Sequence, residues 1–96
     1  MPRQPAVYML ASRKNGTLYT GVSSNLAQRV WQHRNDMVPG FTGRYGVHRL
    51  VWFELHEDMT SAITREKQIK AGSRKRKLTL IERENPAWRD LYDDIS

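Results

Sequence analysis

Two stretches rich in β-forming residues, PAVYMLAS and TLYTGV, flank the tetrapeptide RKNG near the start of the chain. Asn15-Gly16 tolerates the positive φ angles of a tight turn, and this dipeptide between β-formers is a strong hairpin signal. The pattern predicts two strands, near residues 5–12 and 17–22, that pair in antiparallel fashion. We therefore expect the fold to start with a β-hairpin.

Two tyrosines are expected to share one face of this hairpin. If Asn15 and Gly16 formed a two-residue loop, Ser12 would lie opposite Tyr19, and Tyr8 would point to the same face at some distance. Such tyrosines can simply pack with their hydroxyls at the edge of the sheet. Alternatively, two phenols on one face can position or deprotonate a water molecule or orient a phosphate. Gly21 would let a ligand approach the sheet beside them.

The segment SSNLAQRVWQHR predicts the first helix, with Ser24 or Asn25 as its N-cap. Arg29 and His33 are four residues apart and therefore lie on one flank of the helix. That flank can be an ordinary solvated surface. It can also be functional, because an arginine clamps phosphate oxygens and a histidine moves a proton near neutral pH.

The remaining elements follow from periodicity and from helix-ending residues. HRLVWFELHE predicts a third strand, roughly residues 48–56, and its nearly continuous apolar run indicates a strand covered on both faces. Asp58 or Thr60 can cap a second helix that runs to Gly72 as its C′ residue. SRKRKLTLIERENP predicts a third helix, which ends at Pro86.

The predicted order of elements is β-β-α-β-α-α. This order indicates an α+β fold with a three-stranded antiparallel sheet flanked by helices. We expect one domain over residues 1–96, with a core at about 5–82 and a C-terminal tail, 83–96, that docks on it. The segment NDMVPGFTGRYG is expected to be a loop because it contains four glycine or proline residues.

The segment AITREKQIK places a carboxylate within an apolar stripe. Ala62, Ile63, Glu66 and Ile69 share one helix face, and an ionised carboxylate is costly there unless it has a partner. Lys70, one turn later, can supply that partner as an ion pair. The alternative is that Glu66 is a metal ligand or a general base. Because Mg²⁺ commonly uses one or two protein carboxylates, one glutamate suffices for a metal that arrives with a phosphate.

The charge distribution points to a polyanionic partner. Residues 1–81 contain 14 lysines and arginines and 5 acidic residues, a net charge of +9, whereas residues 82–96 have a net charge of −3. DNA, or else RNA, is the first candidate, and no apolar-faced basic helix supports a membrane surface. The chain has no cysteine and no run of the ~20 apolar residues that span a bilayer, so we expect a cytoplasmic protein.

The densest basic segment straddles the turn between the second and third predicted helices. A charge run of this kind can be a solvated surface, but its density favours contact with a phosphate backbone, which gives affinity without sequence recognition. No phosphate-binding glycine loop or dinucleotide fingerprint is present, so we expect no small-molecule cofactor. The residues expected to bind nucleic acid, apart from Arg29, are Lys67, Lys70, Arg74, Lys75, Arg76 and Lys77.

Taken together, these segments resemble the GIY-YIG nucleases. AVY, which ends at Tyr8, and YTG, which begins at Tyr19, resemble the paired motifs that name the family. SSNLAQRVWQH resembles the helix that follows them, with its arginine at Arg29 and a histidine or tyrosine at His33. TREKQIK resembles the later helix that carries the metal-binding glutamate, here Glu66. The resemblance is closest to the small stand-alone bacterial members and covers residues 6 to about 80.

The resemblance implies hydrolysis of a phosphodiester bond in DNA with Mg²⁺ or Mn²⁺. Glu66 would bind the metal, Arg29 would hold a nonbridging phosphate oxygen, and Tyr19 or His33, helped by Tyr8, would activate water. We expect a role in the repair or processing of structured or single-stranded DNA.

Two other classes of function stay open at the sequence level. One is a non-catalytic nucleic-acid-binding module with a vestigial GIY-YIG site. The other is an adaptor whose tail, NPAWRDLYDDI, docks a partner protein. A tail that packs on the core of its own chain would count against the adaptor.

Overall fold

The computed structural model describes residues 4–35, 37, 40 and 45–95. The predicted loop NDMVPGFTGRYG lies mostly outside these described residues. None of the helices within them is long and apolar enough to cross a membrane. The elements, in chain order, are β1 (Ala6–Ala11), β2 (Leu18–Ser23), α1 (Leu26–Arg34), β3 (Arg49–Leu55), α2 (Met59–Ala71), α3 (Arg74–Glu84) and α4 (Tyr92–Ile95). The predicted order β-β-α-β-α-α and the α+β class are confirmed.

The three strands form an antiparallel sheet in the order β2-β1-β3. Every residue of β1 is buried, because β1 is the central strand and both of its faces are covered. On one face Tyr8 and Leu10 pack with residues of α1 and α4, whereas on the other Val7 and Met9 pack with residues of α2 and α3. The predicted coverage of β3 on both faces is correct in its first half only, since Leu55 is 43% exposed.

The hairpin differs from the register that a two-residue loop requires. The amide of Gly16 donates to the carbonyl of Arg13 at 2.9 Å, and that of Ser12 donates to Thr17 at 3.0 Å, so the loop has four residues. Tyr19 therefore lies opposite Leu10, not Ser12. The shift is by an even number of residues, so side chains keep their faces and the two tyrosines come closer together.

Each long helix begins at a side chain that accepts a backbone amide. Asn25 caps α1, Asp58 caps α2 and Ser73 caps α3, which satisfies amides that have no partner within the helix. Gly72 follows α2, as expected, but its φ of −77° is outside the left-handed region of a usual C′ glycine. The physical reason is that the chain passes directly into Ser73, the N-cap of α3.

The tail after α3 packs along the outer edge of β3. Trp88 is fully buried, and the Nδ2 atom of Asn85 donates to the carbonyl of Val51 at 3.1 Å. The amide of Leu91 donates to the carbonyl of Leu50 at 2.7 Å. These contacts satisfy backbone groups of an edge strand. They also count against an adaptor that would use this tail to dock another protein.

Candidate functional site

Three aromatic side chains from three elements meet on the α1 face of the sheet. Tyr8 comes from β1, Tyr19 from β2 and His33 from the end of α1. The ring centroids are 6.3 Å apart for the two tyrosines, 5.9 Å for Tyr8 and His33, and 5.4 Å for Tyr19 and His33. Tyr8 and His33 are each 1% exposed, whereas Tyr19 is half-buried. Of the three rings, Tyr19 is therefore the one that solvent reaches most readily.

A buried hydrogen bond joins Tyr8 to His33, with 3.1 Å between Oη and Nε2. Arg29, one turn before His33, lies close enough to Tyr8 to lower its pKa, and its Nη1 atom donates to Oε1 of Gln32 at 3.4 Å. The interpretation of this helix flank as a plain solvated surface is thus wrong for His33. The i, i+4 spacing showed that Arg29 and His33 are neighbours, but which way they face depends on the packing of α1 against the sheet.

The environment keeps the hydrogen-bonded pair uncharged near neutral pH. Burial raises the pKa of Tyr8 to about 12, and the nearby Tyr19 and Glu66 add to this shift while Arg29 opposes it. Burial, followed by the positive charge of Arg29 and the neighbouring His48, lowers the pKa of His33 to about 4. Near neutral pH the imidazole of His33 is therefore uncharged, and it is a weaker base than an ordinary histidine. The role of His48 was missed because nothing in the sequence places the start of β3 beside α1.

The depressed pKa of His33 predicts acid lability. An unfolded imidazole takes up a proton near pH 6.5, whereas the folded His33 resists until about pH 4, so the unfolded state binds more protons between these values. This contribution to stability is complete above pH 6.5 and is lost as the pH falls toward 4, by up to about 3 kcal/mol. Urea unfolding across this range should show the loss, and H33Q should lack it. If H56Q, the matched control, flattens the profile equally, the assignment is wrong.

Gly21 makes room for Tyr8 rather than for a ligand. It lies opposite Tyr8 in the hairpin. A Cβ atom at this position would be 2.5 Å from the Tyr8 hydroxyl oxygen and 3.0 Å from Cε2 of Tyr19. The sequence indicated a close approach to the backbone here, and the structure shows that the approaching group is the protein's own phenol.

Glu66 lies between Ala62 and Ile69 on the core-facing side of α2, and its side chain is only 14% exposed. Its Oε2 atom is 3.0 Å from Nζ of Lys70, so the predicted ion pair is present. The charge of Glu66 also raises the pKa of Tyr8, and this interaction links α2 electrostatically to the tyrosine face. Ile63, expected on the same stripe, is 38% exposed and lies at its margin.

The chemistry of the donor set limits the kind of metal site that is possible. Among the described residues, no three histidine, aspartate or glutamate side chains are grouped so that they could enclose a metal ion. At the tyrosine site, formed by Tyr8, Tyr19, Arg29 and His33, the set contains the carboxylate of Glu66, whose charge acts on Tyr8. Such a set fits a hard cation that keeps several waters and takes its other oxygens from a phosphate. It does not fit a metal held by the protein alone.

The side chains of the basic segment, residues 65–77, lie in several different environments. Lys70 is half-exposed beside Glu66, and Lys67 is exposed. Arg74 donates from Nη2 to the carbonyls of Asn15 and Gly16, at 2.9 and 2.8 Å, and so fastens α3 to the hairpin loop. The other basic residues of the segment line a groove between α2 and α3, and Arg83, which the sequence did not point to, lines it with them. The groove cations are Arg65, Lys75, Arg76, Lys77 and Arg83.

Known proteins resemble this chain in sequence and in fold. A UPF0213 protein of Clostridium perfringens is 40% identical over 75 residues, which cover 78% of this chain and 80% of that one. A second, from Staphylococcus saprophyticus, is 35% identical over 68 residues, with coverage of 71% and 83%. The solution NMR structure of a UPF0213 protein from Bacillus halodurans is 25% identical, with a TM-score of 0.57 over 91% of this chain and 92% of that one.

A family model adds to these likenesses. The model described as the GIY-YIG catalytic domain matches residues 4–79. The matched region includes both tyrosine motifs, α1 and the helix that carries Glu66. The chain therefore belongs to the GIY-YIG catalytic-domain family, whose function is of the nuclease type.

Proposed function

We propose that this protein is a metal-dependent nuclease that hydrolyses phosphodiester bonds in DNA. The observation that supports this best is the buried, uncharged Tyr8–His33 hydrogen bond with Arg29 beside it and the charge of Glu66 acting on Tyr8. One region thus offers a proton acceptor, a cation and a carboxylate. Metal-assisted hydrolysis of a phosphodiester can use all three, the carboxylate as a ligand for the metal.

On this proposal, Arg29 and the aromatic residues have different roles at the scissile phosphate. Arg29 binds a nonbridging oxygen of the scissile phosphate through its guanidinium. Tyr19, the accessible phenol, orients the attacking water, or removes its proton once its own hydroxyl proton has passed to solvent. Tyr8 provides a second route, because it can take a proton from water at Oη while passing its own to Nε2 of His33, 3.1 Å away. The second route leaves a positive charge on His33, which Arg29 opposes. The negative charge of the hydroxide and of the phosphate balances it.

Glu66 is the residue that would hold Mg²⁺ or Mn²⁺. When bound, such an ion supplies positive charge that stabilises the phosphate and the leaving oxygen. Lys70 competes for the same carboxylate, so part of the affinity for the metal is spent on displacing or sharing this ion pair. On this proposal Lys70 then contacts a phosphate at the margin of the site.

Metal dependence is the direct test of the proposal. The purified protein should cut at least one member of a panel of single-stranded, nicked and branched DNA molecules when Mg²⁺ or Mn²⁺ is present. Cleavage should stop when the metal is chelated and return when it is restored, because the phosphate charge is then stabilised again. RNA of the same sequences, included in the panel, shows whether the sugar matters. Cleavage that persists in chelator would contradict the proposal.

The Glu66–Lys70 ion pair favours a second candidate function. A carboxylate already neutralised by a lysine has less need of a metal, as expected of a nucleic-acid-binding module with a vestigial site. This candidate predicts DNA binding that weakens steeply with salt, needs no metal and is unchanged by E66Q. The absence of cleavage under every condition above would favour it.

A further inference from the structure

A groove of about 810 Å³ lies between α2 and α3. No acidic side chain is among the described residues that line it, whereas five cations are: Arg65, Lys75, Arg76, Lys77 and Arg83. Ile69 and Leu80 contribute apolar surface to the same groove. A concave surface lined by positive charges concentrates anions, because its low-dielectric walls focus the electric field.

The groove is separate from the tyrosine site. The helices α2 and α3 cover the face of the sheet that carries Val7 and Met9, whereas Tyr8 points to the opposite face. On α2 itself, Arg65 lines the groove, and Glu66 and Lys70 lie about 100° and 140° further around the helix axis. One flank of α2 thus serves the tyrosine site, and the other flank serves the groove.

Three cations of the groove, Lys75, Arg76 and Lys77, lie at a helix end whose partial charge is also positive. The first turn of α3 contains Arg74 to Lys77 and no acidic residue. The N-terminal end of a helix carries partial positive charge, so cations there are repelled and anions are attracted. Within the described residues, Arg65 pairs with Glu54 at 3.1 Å, but no carboxylate lies within 4.0 Å of the side-chain nitrogens of Lys75, Arg76, Lys77 or Arg83. A bound polyanion would relieve this repulsion.

We propose that the α2/α3 groove is a second nucleic-acid site, which binds the phosphate backbone of a single-stranded segment joined to the segment at the tyrosine site. The inference rests on the proposed action on DNA. The molecule measures only 30 × 28 × 24 Å, whereas duplex DNA is straight over a persistence length of about 50 nm. A straight duplex does not reach opposite faces of so small a body, but a flexible single strand does.

The test compares a duplex with the same duplex carrying a single-stranded tail. Binding of the whole protein is measured by fluorescence anisotropy in chelator, so that no strand is cut. The tail should lower the dissociation constant of the wild type by about tenfold or more, and K75Q/R76Q should lose this gain. For K75Q/R76Q on the tailed DNA, the slope of log binding constant against log salt concentration should be shallower than that of the wild type by about 1.4. Each phosphate neutralised on a single strand contributes roughly 0.7 to this slope, and two cations are removed.

The matched control is R13Q/K14Q, which removes one arginine and one lysine from the neighbouring hairpin loop, outside the groove. It should keep the gain from the tail. The proposal is overturned if the tail gives the wild type no gain, if the control loses the gain equally, or if a polyglutamate of equal charge competes as well as the tail. Binding is measured without cleavage, so a gain in affinity that depends on the groove supports the second site even if no DNA is cut. Cleavage without such a gain overturns the second site and leaves the nuclease proposal intact.

Discussion

E66Q is expected to lower the rate of metal-dependent DNA cleavage by at least about 100- to 1000-fold, the effect of losing one group that stabilises transition-state charge. Glutamine keeps the size of the side chain and can still pack between Ala62 and Ile69. It cannot supply the anionic oxygen that a hard cation requires. The measurement is the single-turnover rate of cleavage over a titration of Mg²⁺ and Mn²⁺, with DNA binding measured in parallel.

The control is E84Q, which changes an exposed glutamate at the end of α3 to the same amide. It should cut DNA at the wild-type rate. E66Q should bind DNA at least as tightly as the wild type, since a negative charge is removed and Lys70 is released from its ion pair. If E66Q cleaves as fast as the wild type, Glu66 is not the metal ligand and the nuclease proposal fails at its central residue.

G21A is expected to produce the second large effect, a loss of cleavage of about 100-fold or more, of the size seen when one catalytic hydrogen-bonding group is misplaced. The added Cβ atom would meet the Tyr8 hydroxyl oxygen at 2.5 Å and Cζ at 2.6 Å, well inside van der Waals contact. Tyr8 is buried against His33, so its ring must move or the hairpin must open. Overpacking of this kind typically costs about 1–3 kcal/mol of stability.

The effect of G21A is measured in two ways. Urea unfolding gives the loss of stability, and the cleavage rate under conditions where the variant is folded gives the loss of function. G72A is the matched control, because its added Cβ atom would be 3.3 Å from the nearest atom, the carbonyl oxygen of Ile69, and would lie away from the tyrosines. Because Gly72 also lines the α2/α3 groove, cleavage is compared on DNA without a single-stranded tail, and there G72A should retain the wild-type rate. A folded G21A protein with the wild-type rate would show that the position of the Tyr8 hydroxyl does not matter to the reaction.

Local patterns were sufficient to predict the elements and most of the residues discussed above. Apolar periodicity and capping residues identify three strands and three long helices, because each pattern depends on neighbours within a few positions. Spacing alone also put Arg29 beside His33, and Glu66 on a buried face next to Lys70. The short helix at Tyr92–Ile95 was predicted only as a docked tail.

Long-range contacts decided the features that the local patterns left open. The four-residue loop moved Tyr19 opposite Leu10, and the central position of β1 buried Tyr8 against α1. The field of His48 at His33 likewise comes from an element distant in the chain.

The order of the elements, the basic character of the chain and the residue types available for phosphodiester chemistry can all be read from the amino-acid sequence. Contacts between distant segments made Tyr8 and His33 an uncharged buried pair and filled the space beside Gly21 with a phenol. They also divided the basic segment among the Glu66 ion pair, the hairpin loop and the α2/α3 groove. The physical reason is that burial shifts a pKa and opposes a charge only once distant segments exclude water from it.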